Sequence, residues 1–377
     1  MRPKLKIPPK AKKLLSQLSQ EAKKRGALLY LVGGAVRDFA LGRSTRDLDF
    51  TVEGDPAPLV HFCAKLIDAK PVPFDSFGTW RLVGGKDWDI DFATTRKEEY
   101  PTPACLPLVK TPASILEDLK RRDFTINAMA LRLGGEKFSD LIDPFHGLDD
   151  MMKGEIQILH SESFRDDPTR VFRAARYAGR LDFKCSEDIV RLSFEALKAG
   201  YPQKLSRHRL GSEFLKILSE QNPNPILNQL RNWGYLDLID PRLSSLSWPD
   251  WEGLTEYERL GVLAFSLKEK AEEFLASLPI DRHASGDILS ALKIAIEKSS
   301  PKENPPKLSK EILEFLFPEL PPQALKPVKI GGSDLKKLGM KPGPMMGEAL
   351  KEIARLQWRG KIKSKPEAIR WLKKQIH

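Results

Sequence analysis

The chain has 377 residues, with 62 Lys and Arg against 51 Asp and Glu and a net charge of +11. Such a length holds two or three domains, and the basic balance suits a polyanionic partner while leaving the fold open. No run approaches about 18 consecutive apolar residues, so no membrane span is expected, and three scattered cysteines (Cys63, Cys105, Cys185) argue against a disulfide framework and for a reducing, cytoplasmic setting.

Residues 1–8 form a basic lead-in without an apolar stretch, so no secretory leader is expected. Helical spacing of Leu14, Leu15 and Leu18 predicts a helix from Ala11 to Lys24. Leu29 to Val32 is an apolar run of strand length. Gly33 and Gly34 follow; both allow a positive φ and bring backbone N–H groups close to whatever lies above the turn. The helix predicted from Val36 to Leu41 aims its N-terminus at the same space, which favours phosphate.

Asp47-Leu48-Asp49-Phe50 alternates with period two. Its aspartates share one strand face and its apolar residues the other. Two carboxylates side by side repel unless a cation lies between them, and Mg²⁺ commonly takes one or two carboxylates plus substrate phosphates. Asp47 and Asp49 are therefore the candidate metal ligands. A helix is predicted over Ala57–Leu66, one strand over Pro73–Val83, a turn at Gly84-Gly85-Lys86 and a returning strand over Asp87–Thr95. Asp91 is preferred as a third carboxylate, with Asp89 kept as the alternative.

Lys97–Lys110 carries three prolines and little periodicity, and reads as a mobile loop. Ser114 with Glu117 has capping-box spacing. It leads into Arg121-Arg122-Asp123-Phe124-Thr125-Ile126-Asn127-Ala128-Met129-Ala130, read either as a charged helix start or as a nucleotide clamp. In the second reading Arg122 grips a triphosphate, Asp123 holds that arginine, and Asn127 binds ribose or the helix start. Leu141–Asp150 reads as loop and turn. Asp167-Pro168 opens a helix on which Arg170, Arg173, Arg176 and Arg180 share one face, an arrangement that calls for an anion.

Further helices are predicted at Glu187–Leu197, Ser206–Leu218, Pro225–Trp233, Tyr257–Leu278 and Ser285–Lys298, with a linker at Pro301–Pro306. Trp233, Trp248 and Trp251 read as packing residues. From Lys329 onward thirteen Lys and Arg face four acids, with helices over Met345–Trp358 and Lys361–His377. Such a tail can neutralise RNA phosphates without reading sequence.

Taken together, GGAVRDFALG with RDLDF, RRDFTINAMA, DDPTR and LGMKPGPMMG resemble the class II tRNA nucleotidyltransferase and bacterial poly(A) polymerase family, within the polymerase-β-type nucleotidyltransferases. The resemblance implies an α+β fold: a nucleotidyltransferase head with a mixed sheet (1–150), then an all-α neck (151–215), body (216–305) and basic tail (306–377). It implies template-independent addition to the tRNA 3′ end from ATP and CTP, with two Mg²⁺ ions. Asp47, Asp49 and Asp91 would be catalytic, and Gly33, Gly34, Arg37, Arg122, Asp123, Asn127, Arg173 and Arg176 would hold the nucleotide. Asp167 and Arg170 match the family's base-selecting pair, although Asp166 stands where Glu is usual. A poly(A) polymerase, a CC-adding enzyme and a non-catalytic RNA-binding protein remain as alternatives; a small-molecule nucleotidyltransferase has no need of RRDFTINAMA or the arginine stripe. No membrane and no DNA partner is expected.

Overall fold

The computed structural model describes residues 5–74, 78–134, 140–248, 251, 253–267, 270–280, 285–286, 288–289, 330–340, 343–358 and 361–376. Two compact units emerge: Met1–Ser206 with Asn224–Leu238, and Arg207–Pro223 with Ile239–His377.

The first unit is built on a seven-stranded mixed sheet. Its strands are β1 (Leu29–Val32), β2 (Asp47–Val52), β3 (Lys70–Pro73), β4 (Trp80–Val83) and β5 (Asp89–Thr94), joined by β8 (Ala130–Leu133) and β9 (Leu141–Ile142). They lie in the order β3-β4-β5-β2-β1-β8-β9. β1 is buried along its whole length, as a central strand covered on both faces must be. In β2, Leu48 and Phe50 go inward, and Phe50 stacks on Phe92 of β5 with ring centroids 4.9 Å apart. Helix α1 (Pro9–Arg25) turns Leu14, Leu15 and Leu18 inward, and Gly26 ends it in the left-handed conformation that glycine adopts without strain. Helices α2 (Gly34–Ala40) and α3 (Ala57–Ile67) complete this layer.

Four readings change here. The strand expected over Pro73–Val83 is two antiparallel strands, β3 and β4; period-two patterning does not distinguish one long strand from two that fold back. Lys97–Lys110 is not an unstructured loop: β6 (Lys97–Glu99) and β7 (Leu108–Lys110) pair antiparallel, and Lys110 bonds Glu99 across the ribbon. The RRDFTINAMA stretch is not a helix start. After α4 (Ile115–Lys120), closed by the Ser114–Glu117 capping box, it makes a 3₁₀ turn at Thr125–Asn127 and enters β8. Leu141–Asp150 likewise contains β9 and the start of α5 (Gly147–Lys153).

The same unit carries α6 (Ser163–Asp166), α7 (Thr169–Leu181), α8 (Glu187–Lys198) and α10 (Asn224–Asn232). Phe172 of α7 meets Tyr235 edge-to-face, and the Tyr235 hydroxyl donates to the Ser193 carbonyl of α8. The second unit holds α9 (Arg207–Leu218), α11 (Glu256–Ser266) and α12 (Ala271–Ala276). The last two replace the single helix expected over Tyr257–Leu278. Its C-terminal helices, Gly332–Lys337, Pro344–Trp358 and Lys365–Ile376, enclose a core of Leu335, Met346, Ile353, Ile362, Ala368 and Leu372. Trp233 and Trp251 are buried. The linker at Pro301–Pro306 and most of the helix expected over Ser285–Lys298 lie outside the described residues. Among the described residues no helix is long and apolar enough to cross a membrane. The architecture is the expected mixed sheet followed by helices, but the neck expected to be all-α also carries a short parallel pair, β10 (Glu155–Ile156) with β11 (Lys184–Cys185), among the described residues.

The Thr125–Asn127 turn is pinned by α5. A Cβ on Gly147 would press into the Thr125 carbonyl, whose carbon would lie 2.8 Å away. Backbone cannot yield there as a side chain would. Gly147→Ala is expected to lose about 1–3 kcal/mol, read as a lower urea midpoint; an unchanged midpoint contradicts this packing.

Candidate active site

β2 and β5 run parallel and in register, so Asp47 lies beside Asp89 and Asp49 beside Asp91. Four carboxylates therefore project from one sheet face. On the far side of β5, β4 places Arg81 opposite Asp91. Its guanidinium grips both Asp91 oxygens, at 2.9 and 2.7 Å. Asp47, Arg81, Asp89 and Asp91 line a cleft of about 450 Å³. The electrostatics follow from the crowding. Burial, then Asp47, pushes the Asp49 carboxyl up to about 6, against the pull of Arg122. Burial, then Asp91 and Asp89, raises Asp47. Among the described residues no three acids, histidines or cysteines converge as a ready-made metal cage.

β1 ends at Val32, paired with Asp49, so the glycine turn adjoins the carboxylates. Only Gly33 of the two glycines has positive φ (66°); Gly34 is the first residue of α2. The Gly33 N–H is occupied by the Met129 carbonyl at 3.2 Å, so it is not offered upward as the sequence suggested. What Gly33 provides is room: a Cβ there would lie 2.8 Å from Arg122 Nη1. Arg122 thus lies over the turn and close enough to Asp49 to act on its charge.

The residue that holds Arg122 is Asp118, not Asp123. Arg122 Nη2 donates to Asp118 Oδ2 at 3.0 Å, and Arg121 takes Oδ1 at 2.8 and 3.0 Å. Burial pushes the Asp118 carboxyl up, but Arg122 and Arg121 outweigh it and hold the group below its ordinary value. Arg122 Nε is buried without a hydrogen-bond partner. Asp123 instead grips Arg173 (2.6 and 2.8 Å) and accepts from Asn127 (3.0 Å). Asn127 in turn accepts from Arg37 Nη1 at 2.7 Å. Arg37, Asn127, Asp123 and Arg173 therefore form one chain from the glycine turn to α7.

Tyr177 lies at the centre of this chain. The guanidinium carbons of Arg37, Arg173, Arg176 and Arg180 approach its ring centroid at 5.2, 5.6, 5.1 and 5.9 Å, within cation–π range. The arginine stripe is thus not a solvated face; Arg170 and Arg176 are buried. Arg170 donates to Ser163 Oγ and to the Arg121 carbonyl, both at 2.9 Å, above the Tyr100 ring. Asp167 Oδ1 accepts from the Thr169 N–H and hydroxyl. A second cleft of about 550 Å³ opens here, lined by Tyr100, Arg121, His160, Arg165, Asp166 and Arg170 among others.

Sequence reasoning missed Arg81, Asp118, Tyr100 and Tyr177. Arg81 was detectable: it alternates with Trp80 and Leu82, on a strand facing an acidic one. Asp118 was detectable too, three and four residues before Arg121 and Arg122, whereas the approach of Arg37 to Tyr177 and of Arg170 to Tyr100 spans a long stretch of sequence.

The Poly A polymerase head domain model matches residues 29–157, and a model described as tRNA nucleotidyltransferase domain 2 putative matches 287–372. The A-adding tRNA nucleotidyltransferase of Aquifex aeolicus is 43% identical over 56% of this chain, which spans 25% of that relative's length. The CC-adding tRNA nucleotidyltransferase of Deinococcus radiodurans is 32% identical over 90% of this chain and 87% of its own. A solved CCA-adding enzyme in an apo form superposes with a TM-score of 0.65 at 26% identity, covering 98% of this chain and 97% of that one.

Asp49 titrates near 6 in the fold, against 3.8 ordinarily. Between those values the folded chain binds more protons than the unfolded one, so stability falls as pH rises through the window. Asp49→Asn removes this penalty. In EDTA its stability is expected to exceed that of the wild type above pH 6, by up to about 3 kcal/mol, read as a higher melting temperature, and to converge on it below about pH 4. A difference that does not vary with pH contradicts a buried, crowded carboxylate.

Proposed function

We infer the reaction from one premise: the chain belongs to the tRNA nucleotidyltransferase family. On this reading it transfers nucleotides from ATP and CTP to the 3′ end of tRNA, without a nucleic-acid template, and releases pyrophosphate. The observation that carries the reading is the Asp49–Asp91 register beside Asp47, next to a glycine turn crossed by Arg122.

Asp47 and Asp49, with Asp91 as third carboxylate, would hold two Mg²⁺ ions. An oxygen-only donor set suits a hard cation, and the upward push on Asp49 marks a place short of positive charge. When bound, such ions lower the pKa of an attacking hydroxyl and neutralise charge on departing pyrophosphate. Gly33 lets Arg122 settle against the turn, and a triphosphate would lie beside that guanidinium and Gly34. Arg37, Arg173 and Arg176 supply positive charge around it, and Asp123 and Asn127 fix the first two in place. Asp167 and Arg170 would read the base: a carboxylate accepts from an exocyclic amine and a guanidinium donates to ring nitrogen or carbonyl oxygen. To do so they must exchange the internal partners they hold here. The same reading divides the chain into head, neck, body and tail at about residues 150, 215 and 305, the basic tail lying on tRNA phosphates.

The finer proposal is terminal A addition. It is supported by the DDPTR element, by the 97–110 ribbon and by similarity to an A-adding relative. Three tRNAs, ending before CCA, at C and at CC, should be incubated separately with labelled ATP or CTP. One adenosine on the CC-ended tRNA is the expected product; a long adenosine ladder would replace this reading with poly(A) synthesis. Asp47→Ala and Asp49→Ala should each abolish incorporation, by on the order of a thousandfold or more, while tRNA binding survives. Retained incorporation in either variant rejects the assignment.

A further inference from the structure

We propose that Arg81 is a positioning residue that occupies the cation's place on Asp91 and must leave it before a divalent ion is bound. This rests on the metal-holding role given above to Asp47, Asp49 and Asp91.

The strand pairing puts three side chains in one row across three strands: Asp49 on β2, Asp91 on β5 and Arg81 on β4. In that row the two Asp91 oxygens, the same atoms a cation would need, are both taken by one guanidinium. A bidentate Arg–carboxylate pair is planar and directional, and it leaves Asp91 turned toward β4 rather than toward Asp49. This accounts for four carboxylates sharing a face without three of them converging. The positive charge of Arg81 acts on Asp47 and Asp49 as well, opposing the rise that burial imposes on both. It is thus the counter-charge held on Asp91, acting on Asp49 alongside the stronger pull of Arg122.

Arg81 is also built to leave. Its side chain is 58% exposed, against 29% for Asp91. An ion pair that open to water is worth little, so it can be exchanged for a stronger cation at small cost. Among the described residues the arm is open: the guanidinium lies 5.7 Å from the ring centroid of Phe74, itself 71% exposed. The neighbouring cation has a different setting. Arg122 is anchored by a fully buried Asp118 and cannot be displaced in this way. The site therefore combines one fixed guanidinium, over the phosphate turn, with one exchangeable guanidinium, on the third carboxylate.

The test is Mn²⁺ binding to the full chain, followed by electron paramagnetic resonance without nucleotide, for wild type, Arg81→Gln, Arg81→Lys and Asp49→Ala. Removing a unit charge at hydrogen-bond distance from a ligand in a half-open cleft is worth on the order of tenfold in cation affinity. Arg81→Gln is therefore expected to bind Mn²⁺ about tenfold more tightly than wild type. Arg81→Lys, which keeps the charge but loses the fork, should fall between the two. The Mg²⁺ concentration giving half-maximal nucleotide addition should drop in the same order. Unchanged or weaker Mn²⁺ binding in folded Arg81→Gln overturns the proposal, as does a Lys variant no different from Gln. If Asp49→Ala binds Mn²⁺ as the wild type does, the metal-site reading itself falls. If only the Arg81 variants fail to respond, that reading stands and Arg81 is a structural pair.

Discussion

Like-charge crowding on one sheet face is the constraint on which the rest of the site depends. It arises from ordinary β geometry: two strands of D-x-D pattern pair parallel and in register, so every carboxylate of one gains a carboxylate neighbour on the other. Such pairing is unfavourable by itself. The sheet accepts it because the opposite faces of the same strands bury Leu48, Phe50, Ile90 and Phe92 completely or nearly so. Each fully buried side chain of that size contributes about 1.5–3 kcal/mol. The apolar face thus pins the register, and the polar face must live with the result.

The arginines of the first unit read as a response to that result. Two of the three that approach the glycine turn and the carboxylates are tied by partners of their own: Arg122 by Asp118 and Arg37 by Asn127. Breaking one partner of a buried charge pair costs about 3–5 kcal/mol, because the remaining charge is stranded. The anchoring therefore fixes positive charge in place before any anion arrives, which is the arrangement that charge-stabilising sites require. Arg81, exposed and on β4, one strand in from the sheet edge, is the exception: its partner Asp91 is itself one of the crowded carboxylates.

Much of this was legible in the sequence, for identifiable reasons. The aspartates of β2 and β5 follow a period of two, and local alternation determines which face they share. The apolar run of β1, the Gly33 turn and the Ser114–Glu117 cap are equally local. What was not legible is partner choice. Asp123 sits next to Arg122 in sequence and four residues from Asn127, yet its main partner is Arg173, fifty positions on. The 3₁₀ turn and strand at Thr125–Leu133 were misread because RRDFTINAMA has an apolar spacing that serves either element. The prolines of Lys97–Lys110 concealed a ribbon whose strands are only three residues long. The second unit was read only as helices, since its apolar spacing names no partner.

Tyr177 shows how the two halves of the site are joined. Four guanidiniums converge on its ring, one from α2 at the glycine turn and three from α7. An aromatic ring attracts a cation by roughly 0.5–2 kcal/mol, through its faces. Four cations around one ring also repel one another. Asp123 takes the charge of Arg173 and Asp38 that of Arg37. Two of the four positive charges are thus offset by these pairs, and the cluster becomes more favourable when a further anion enters. A polyanion at the glycine turn would therefore act on α2 and α7 together, because both elements bring arginines to the same ring. Asp167 precedes α7 and Arg170 lies in its first turn, so base selection by this pair, as proposed above, would be tied to the phosphates through the same helix. A row of carboxylates distinguishes no base from another, so on the proposed reading nucleotide choice rests with groups that lie off the sheet.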